Sequence, residues 1–137
     1  MQADKIHTVT ELSYHFIWHT KNKIEVSDEK FRKRLQEILR QTCEQRKIIL
    51  LGGRIGKNFV HMIVTCPANL SVSSIANQLK GRSSRMLQQE FTDMLRNKSF
   101  GESLWGRGYF CKSFGVVESS EVELYISGLT KTIFNNG

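Results

Sequence analysis

The sequence predicts an α+β domain in which two helices cover one face of a four-stranded antiparallel sheet. Four segments have the alternation or the short apolar character of strands, and three have the spacing of amphipathic helices. They follow one another in the order β-α-β-β-α-β-α, which is a split βαβ arrangement with one helix added at its end. A chain of 137 residues suffices for one such core and not for two, so residues 1–137 are predicted to form a single domain.

The first strand is predicted over Glu11–Thr20, because its side chains alternate in character along the segment. Alternation places successive side chains on opposite faces of a sheet. One face carries three aromatic residues, which are Tyr14, Phe16 and Trp18. The other face carries Ser13, His15, Ile17 and His19. Two histidines are therefore expected on one face of this strand.

The first helix is predicted to follow Ser27, a residue suited to cap a helix N-terminus. Asp28 and Glu29 then lie in its first turn, where the helix dipole favours negative charge. Its buried stripe is predicted to be Phe31, Leu35, Ile38, Leu39 and Thr42. The basic residues of this helix mostly face outward, and they are Arg32, Lys33, Arg34 and Arg40.

Two strands and a long helix are predicted next. The strand Ile48–Ile55 contains Gly52-Gly53, a candidate bulge, and the strand Asn58–Cys66 is ended by Pro67. The helix covers Leu70–Phe91 and begins near Ser71. Its apolar set is Val72, Ile75, Ala76, Leu79, Met86 and Leu87.

The remaining segments complete the sheet and add a last helix. A polar loop is predicted over Thr92–Ser103, a fourth strand over Gly108–Phe114, and a hinge or turn at Gly115. Ser119 or Ser120 would cap a final helix that runs to about Ile133. The first six elements match the ferredoxin-like arrangement.

Composition limits the classes of function. The chain has 39% hydrophobic and 24% charged residues, which excludes a globally disordered protein. Its net charge of +7 favours a polyanionic partner, with nucleic acid before a membrane, although a basic surface used only for solubility explains the same charge. Three widely spaced cysteines, no signal peptide and no long apolar run indicate reduced thiols in the cytoplasm.

Five short strings, in order along the chain, resemble one family. They are Tyr14–Lys21, Asn58–Val64, Leu79–Arg85, Leu104-Trp105 with Gly108–Gly115, and Tyr125-Ile126. The chain resembles, over about residues 8–130, the single-tyrosine HUH transposases of the insertion-sequence 200/605 group, the TnpA type. Each string alone is a weak signal, and five in order at matching spacings are a strong one.

The resemblance implies a mechanism and a partner. Such enzymes are dimers that bind hairpins of single-stranded DNA, and a tyrosine, here Tyr125, attacks a phosphodiester to leave a 5′-phosphotyrosine. Two histidines on one strand hold Mg²⁺ or Mn²⁺, and a glutamine four residues after the tyrosine is a third ligand. On residue chemistry alone, Tyr125 is more simply a packed helix residue beside Val122 and Ile126.

This chain departs from the family at two of the three ligand positions. Phe59 stands where the first histidine belongs, and Leu129 stands where the glutamine belongs, so His61 is the surviving ligand. One imidazole is a poor site for a hard cation, which requires several oxygen ligands. No cofactor is therefore expected, unless His15 or His19 approaches His61 and rebuilds a site for Mg²⁺ or Mn²⁺. A hydrogen-bonded structural histidine is the simpler interpretation of His61.

Candidate DNA contacts come from two basic strings. Lys80, Arg82, Ser83 and Arg85 match the second-helix signature and are predicted to contact phosphates, against the alternative of a solvated helix face with a packing glycine. Arg107 and Lys112 stand beside aromatic residues that could stack on bases.

Three classes of function follow from these observations. The preferred hypothesis is a homodimeric protein that binds hairpin or single-stranded DNA and does not cleave it. The second is an active transposase with a rebuilt metal site. The third is an RNA-binding or scaffold protein on a ferredoxin-like sheet.

Overall fold

A computed structural model describes residues 11–113 of the protein. Four strands and three helices follow one another in this part of the chain. They are β1 (Glu11–His19), α1 (Glu29–Gln45), β2 (Ile49–Ile55), β3 (Phe59–Pro67), α2 (Val72–Glu90), α3 (Thr92–Arg96) and β4 (Phe110–Ser113). A 3₁₀ turn, Lys21–Lys23, follows β1. The predicted C-terminal helix, with Tyr125 and Leu129, lies outside the described residues.

The strands form one antiparallel sheet in the order β2-β3-β1-β4. This order confirms the predicted ferredoxin-like arrangement, in which β1 and β3 are the central strands. In the β1–β3 register Tyr14 lies opposite Val64, and Phe16 lies opposite Met62. These four side chains belong to the hydrophobic core, as does Trp18, so the aromatic face of β1 is the helix-covered face of the sheet.

Helix α1 packs the stripe that its spacing predicted. Its buried residues are Phe31, Leu35, Ile38, Leu39, Thr42 and Cys43. The predicted cap was one residue early: the side chain of Asp28, not Ser27, accepts a hydrogen bond from the Phe31 amide. Asp28 has extended backbone angles, which is the conformation that lets a carboxylate reach the free amides of a first turn.

Helix α2 begins where it was predicted to begin, because the Ser71 hydroxyl accepts a hydrogen bond from the Ser74 amide. Its buried residues are Ile75, Ala76, Leu79, Ser83 and Leu87. The prediction of an unbroken polar loop after this helix was wrong. The short helix α3 buries Leu95, and Phe100 in the following turn is also buried, so this segment contributes to the core. Among residues 11–113, no helix is long and apolar enough to cross a membrane.

A β-bulge in β2 changes which side chains face each side of the sheet. The register with β3 pairs Leu50 with Val64 and Gly52 with Ile63, so Leu51 is the extra residue. The backbone of Gly53 has φ of 147°, and a Cβ there would lie 2.2 Å from the His61 carbonyl oxygen. Glycine is therefore required at this position, as the predicted Gly-Gly bulge supposed.

Candidate functional site

The site lies on the second face of the sheet, which is opposite the face covered by α1 and α2. On this face Arg54 of β2 lies opposite His61 of β3, and His61 lies opposite Ile17 of β1. In the neighbouring row His15 of β1 lies opposite Lys112 of β4. A histidine pair in the centre of the sheet is therefore flanked by a basic residue on each edge strand.

The two central histidines contact each other. His15 Nδ1 lies 3.2 Å from His61 Nε2, and the rings are stacked with centroids 5.4 Å apart. Both residues are buried, with 0% and 4% of their surfaces exposed. The prediction that His15 or His19 could approach His61 thus holds for His15.

Burial keeps both imidazoles neutral over the ordinary pH range. Desolvation is the largest cause that lowers the pKa of His61 to about 4, and the neighbouring His15 and Arg54 contribute to the same shift. Desolvation also lowers the pKa of His15. A neutral pair can share one hydrogen bond, with one ring donating and the other accepting.

Phe59, which stands where the family resemblance places the first histidine, is packed into the sheet. It is 3% exposed, and its ring covers Gly56, where a Cβ would lie 2.0 Å from a ring carbon. The Gly56 amide donates to the Phe59 carbonyl over 2.9 Å and closes the turn between β2 and β3. The phenyl ring is thus part of the local packing of this hairpin.

Arg54 is a site residue that the sequence analysis did not single out. Its guanidinium carbon lies 6.0 Å from the centroid of the Phe59 ring. Simple alternation along β2 would have directed Arg54 to the helix-covered face, and the bulge at Leu51 reverses this. The Gly52-Gly53 pair was the sequence signal for this change of face.

These residues do not fit the divalent ion that the family resemblance implies. Around His61 the described side chains are a second imidazole, a phenyl ring and a guanidinium, and none is an oxygen ligand. Within residues 11–113 there is also no group of three or more histidine, cysteine or acidic side chains that could hold a metal. A hard cation such as Mg²⁺ requires several oxygen ligands, and a fixed guanidinium repels it.

The signature string of α2 makes mostly internal contacts. The Lys80 ammonium donates to the carbonyl oxygens of Gly106 and Gly108 over 3.0 Å and 2.6 Å. Desolvation lowers its pKa. Arg82 donates to Gln45 of α1 and contacts the Met86 sulfur. Both cations therefore bind parts of this chain.

The serines of the string hold the same loop. Ser83 is fully buried and accepts a hydrogen bond from the Trp105 indole over 3.0 Å, while Ser84 accepts one from the Leu104 amide over 3.2 Å. The burial of Ser83 argues against the DNA contact predicted for it. The string therefore fastens residues 104–108 to α2, and this is a role that its basic character did not indicate.

The remaining predicted contacts lie at the surface. Arg85 and Arg107 are exposed, and Lys112 is exposed on β4. Arg85 lines a groove of about 780 Å³ between α2 and residues 102–106, together with Gln88 and Gln89. Arg107 lies between Gly106 and Gly108, the two residues that Lys80 holds. Of the four basic or hydroxyl residues predicted on α2, Arg85 is thus the exposed one.

The ferredoxin-like sheet carries His61 on its central strand β3, where the family resemblance expects a histidine. The chain belongs to the IS200-like transposase family, since the family model described as "Transposase IS200 like" matches residues 8–128.

Relatives support this assignment along most of the chain. The chain is 31% identical over 123 residues to the transposase for insertion sequence element IS200 of Salmonella typhimurium, covering 88% of this chain and 78% of that protein. It is 24% identical over 118 residues to the ISDra2 transposase TnpA of Deinococcus radiodurans, covering 86% of this chain and 84% of that protein.

Two solved structures share the fold. A Deinococcus radiodurans R1 protein described as a transposase has a TM-score of 0.72 at 24% identity, covering 93% of this chain and 97% of that chain. A REP-associated tyrosine transposase bound to a REP hairpin has a TM-score of 0.66 at 9% identity, covering 100% of this chain and 75% of that chain.

Proposed function

We propose that this member of the family binds hairpin or single-stranded DNA and does not cleave it. The observation that carries the proposal is the buried phenyl ring of Phe59 at the first histidine position, beside His61 that is hydrogen-bonded to His15. Phosphodiester cleavage requires a positioned cation as charge develops on the phosphate. Phe59 supplies no ligand for such an ion.

Two observations support the proposed DNA binding: the positive charge of the chain and the hairpin bound by a structural neighbour. The chain carries +7 at pH 7, and exposed basic residues flank the second face of the sheet. A structural neighbour is a transposase bound to a REP hairpin. Binding should weaken with salt, with log K falling by about 0.7 per neutralised phosphate for single strands.

A cleavage assay on folded hairpin oligonucleotides tests the proposal. The unmodified protein should shift the hairpin in a gel at about 50 mM salt, where phosphate contacts are least screened. It should leave no 5′-phosphotyrosine adduct with Mg²⁺ or Mn²⁺. An adduct that Tyr125→Phe abolishes would refute the cleavage-deficient assignment, and a complete lack of binding would refute the DNA partner.

A second candidate is an active transposase in which His15 replaces the lost ligand. The contact of 3.2 Å between His15 and His61 favours it, because both nitrogens already lie on one face of the sheet. In that case Mn²⁺-dependent cleavage would be lost in His15→Gln as well as in Tyr125→Phe. His19→Gln, on the same strand and face, is the matched control.

We also infer a homodimer in the cytoplasm. The family resemblance implies the dimer, and the apolar residues Val122, Ile126, Leu129 and Ile133 would need a surface to cover them. Three cysteines without a disulfide among the described residues suit a reducing compartment. Sedimentation of a single 15.8 kDa species at micromolar concentration would contradict the dimer.

A further inference from the structure

A groove of about 740 Å³ runs along the edge of the sheet between α1 and β2. Its lining includes four basic residues, which are Arg32, Lys33, Arg40 and Arg54, and two acidic residues, which are Glu29 and Glu44. The excess of positive charge in one groove indicates an anionic ligand.

Three of the four basic residues of the groove differ from Arg34 on the other side of α1, whereas the fourth, Arg32, pairs with Glu29 over 3.8 Å. Arg34 is neutralised by Glu37 and Glu90, with contacts of 3.1 Å and 2.7 Å. Within residues 11–113, Lys33, Arg40 and Arg54 have no carboxylate within ion-pair distance. These three side chains are thus available to contact an anionic ligand in the groove.

The spacing of these cations suits a chain of phosphates. Lys33 and Arg40 are two helical turns apart on α1, which is about 10 Å along the axis at 1.5 Å per residue. Arg54 extends the line to the second face, where it lies beside Phe59 and opposite His61. A ligand with several negative charges along its length would contact all three residues.

The edge strand adds contacts for a ligand with apolar surfaces. Ile49 and Leu51 are 51% and 56% exposed, which makes them the most exposed large apolar residues of the described chain. Next to them Gly53 is exposed on the edge strand, so a ligand can approach its backbone. Cations beside apolar surface suit a single strand, which exposes its bases, better than a duplex, which hides them.

We propose that the groove between α1 and β2 binds the backbone of single-stranded DNA, with Lys33, Arg40 and Arg54 contacting phosphates. This inference rests on the proposed function and names the surface that performs it. The groove leads the strand toward the Phe59 and His61 face through Arg54. Lys80 and Arg82, which are engaged inside the protein, are not its main contacts.

The first experiment measures the affinity for a labelled ten-nucleotide oligo-dT across a salt series. The double variant Lys33→Ala/Arg40→Ala should lower the slope of log K against log salt by about 1.4, since each lost phosphate contact contributes about 0.7. The matched control is Lys30→Ala/Lys98→Ala, which removes the same charge from two lysines outside the groove lining and should keep the slope. Arg54→Ala should lower the slope by about half as much.

Outcomes separate this inference from the function on which it rests. The unmodified protein could bind DNA while Lys33→Ala/Arg40→Ala keeps the same salt slope as the control double variant. In that case the groove assignment is wrong and the proposal of DNA binding stands. If the unmodified protein binds no DNA, both fall.

The second experiment locates the ligand by nuclear magnetic resonance. Amide resonances of Gly52 and Gly53 should shift on addition of oligo-dT, because these residues line the groove. The same measurement is made with an extended acidic peptide, because such a peptide could pair with the edge strand β2. Shifts produced by the peptide and not by oligo-dT would overturn the proposal in favour of a protein partner.

Discussion

His15 Nδ1 and His61 Nε2 lie 3.2 Å apart on neighbouring strands of the sheet, within hydrogen-bonding distance of each other. The two residues are not directly opposite, because His15 pairs with Ile63 and His61 pairs with Ile17. The contact is therefore a diagonal one on a single face of the sheet. In this chain His61 is hydrogen-bonded to another imidazole and lies on the same face of β3 as the phenyl ring of Phe59.

Acidification should destabilise the protein through His61. Its folded-state pKa of about 4 lies below the ordinary value of 6.5, so the unfolded chain binds more protons between these values. The stabilisation is fully present above pH 6.5 and is lost as the pH falls toward 4. Its size is about 3 kcal/mol, since one pH unit of separation corresponds to about 1.4 kcal/mol.

Urea unfolding at pH 7 and pH 4.5 measures this effect. The variant His61→Gln keeps a polar side chain and removes the titration, so its stability should fall less between the two pH values. An equal fall in both proteins would assign the acid sensitivity to other groups.

Restoring the first histidine should restore metal affinity in part. Phe59→His places a second imidazole two residues before His61, on the same face of β3. We expect weak Mn²⁺ binding by calorimetry and stronger binding when Leu129→Gln is added. Phe59→Leu, which is apolar and has no ligand atom, is the control and should bind no Mn²⁺. Tight Mn²⁺ binding by the unmodified protein would show that His15 already completes a site.

Gly56 and Phe59 should be energetically coupled. Gly56→Ala forces a Cβ into the Phe59 ring and should cost about 1–3 kcal/mol of unfolding free energy, as overpacking usually does. In a Phe59→Ala background the same change should cost much less, which a double-mutant cycle measures. Gly81→Ala is the contrast: nothing lies within 4 Å of its Cβ, and a helix interior favours alanine by about 0.5–1 kcal/mol. Additive costs in the cycle would contradict the packing described for the ring.

Substitutions at Lys80 and Arg85 should have different effects, the first on stability and the second on DNA binding. Lys80→Met keeps the aliphatic stem and loses two hydrogen bonds to the Gly106 and Gly108 carbonyls, at a cost of about 1–2 kcal/mol in urea unfolding. Arg85→Ala removes an exposed side chain and should change stability by less than about 0.5 kcal/mol while it weakens hairpin binding. The opposite pattern, with Lys80→Met as stable as the unmodified protein, would return Lys80 to the DNA-contact set.

The local sequence pattern was sufficient to predict the strands and helices and the face that each of them buries. The alternation of Tyr14, Phe16 and Trp18 predicted the core face of β1, and the apolar spacing from Phe31 to Thr42 predicted the buried side of α1. These features depend on residues close together in sequence, because the spacing of apolar residues along a strand or helix determines which side of it is buried.

Contacts between distant residues were decided only by the tertiary structure. The string Lys80–Arg85 has the composition of a phosphate-binding surface, yet Lys80 and Ser83 are directed to residues 105–108, which lie more than twenty positions away. A basic side chain donates to whichever acceptor the fold brings near it, and which acceptor that is cannot be found from the residues next to it in sequence.

By itself, then, the sequence determined the order of the described elements and the sheet type. The tertiary structure decided that His15 contacts His61 and that Arg54 shares their face. The contact between His15 and His61 depends on which strands are neighbours in the sheet, and the packing of the helix-covered core determines that order. The placement of Arg54 depends on one bulged residue, because an extra residue in a strand exchanges the faces of every side chain beyond it.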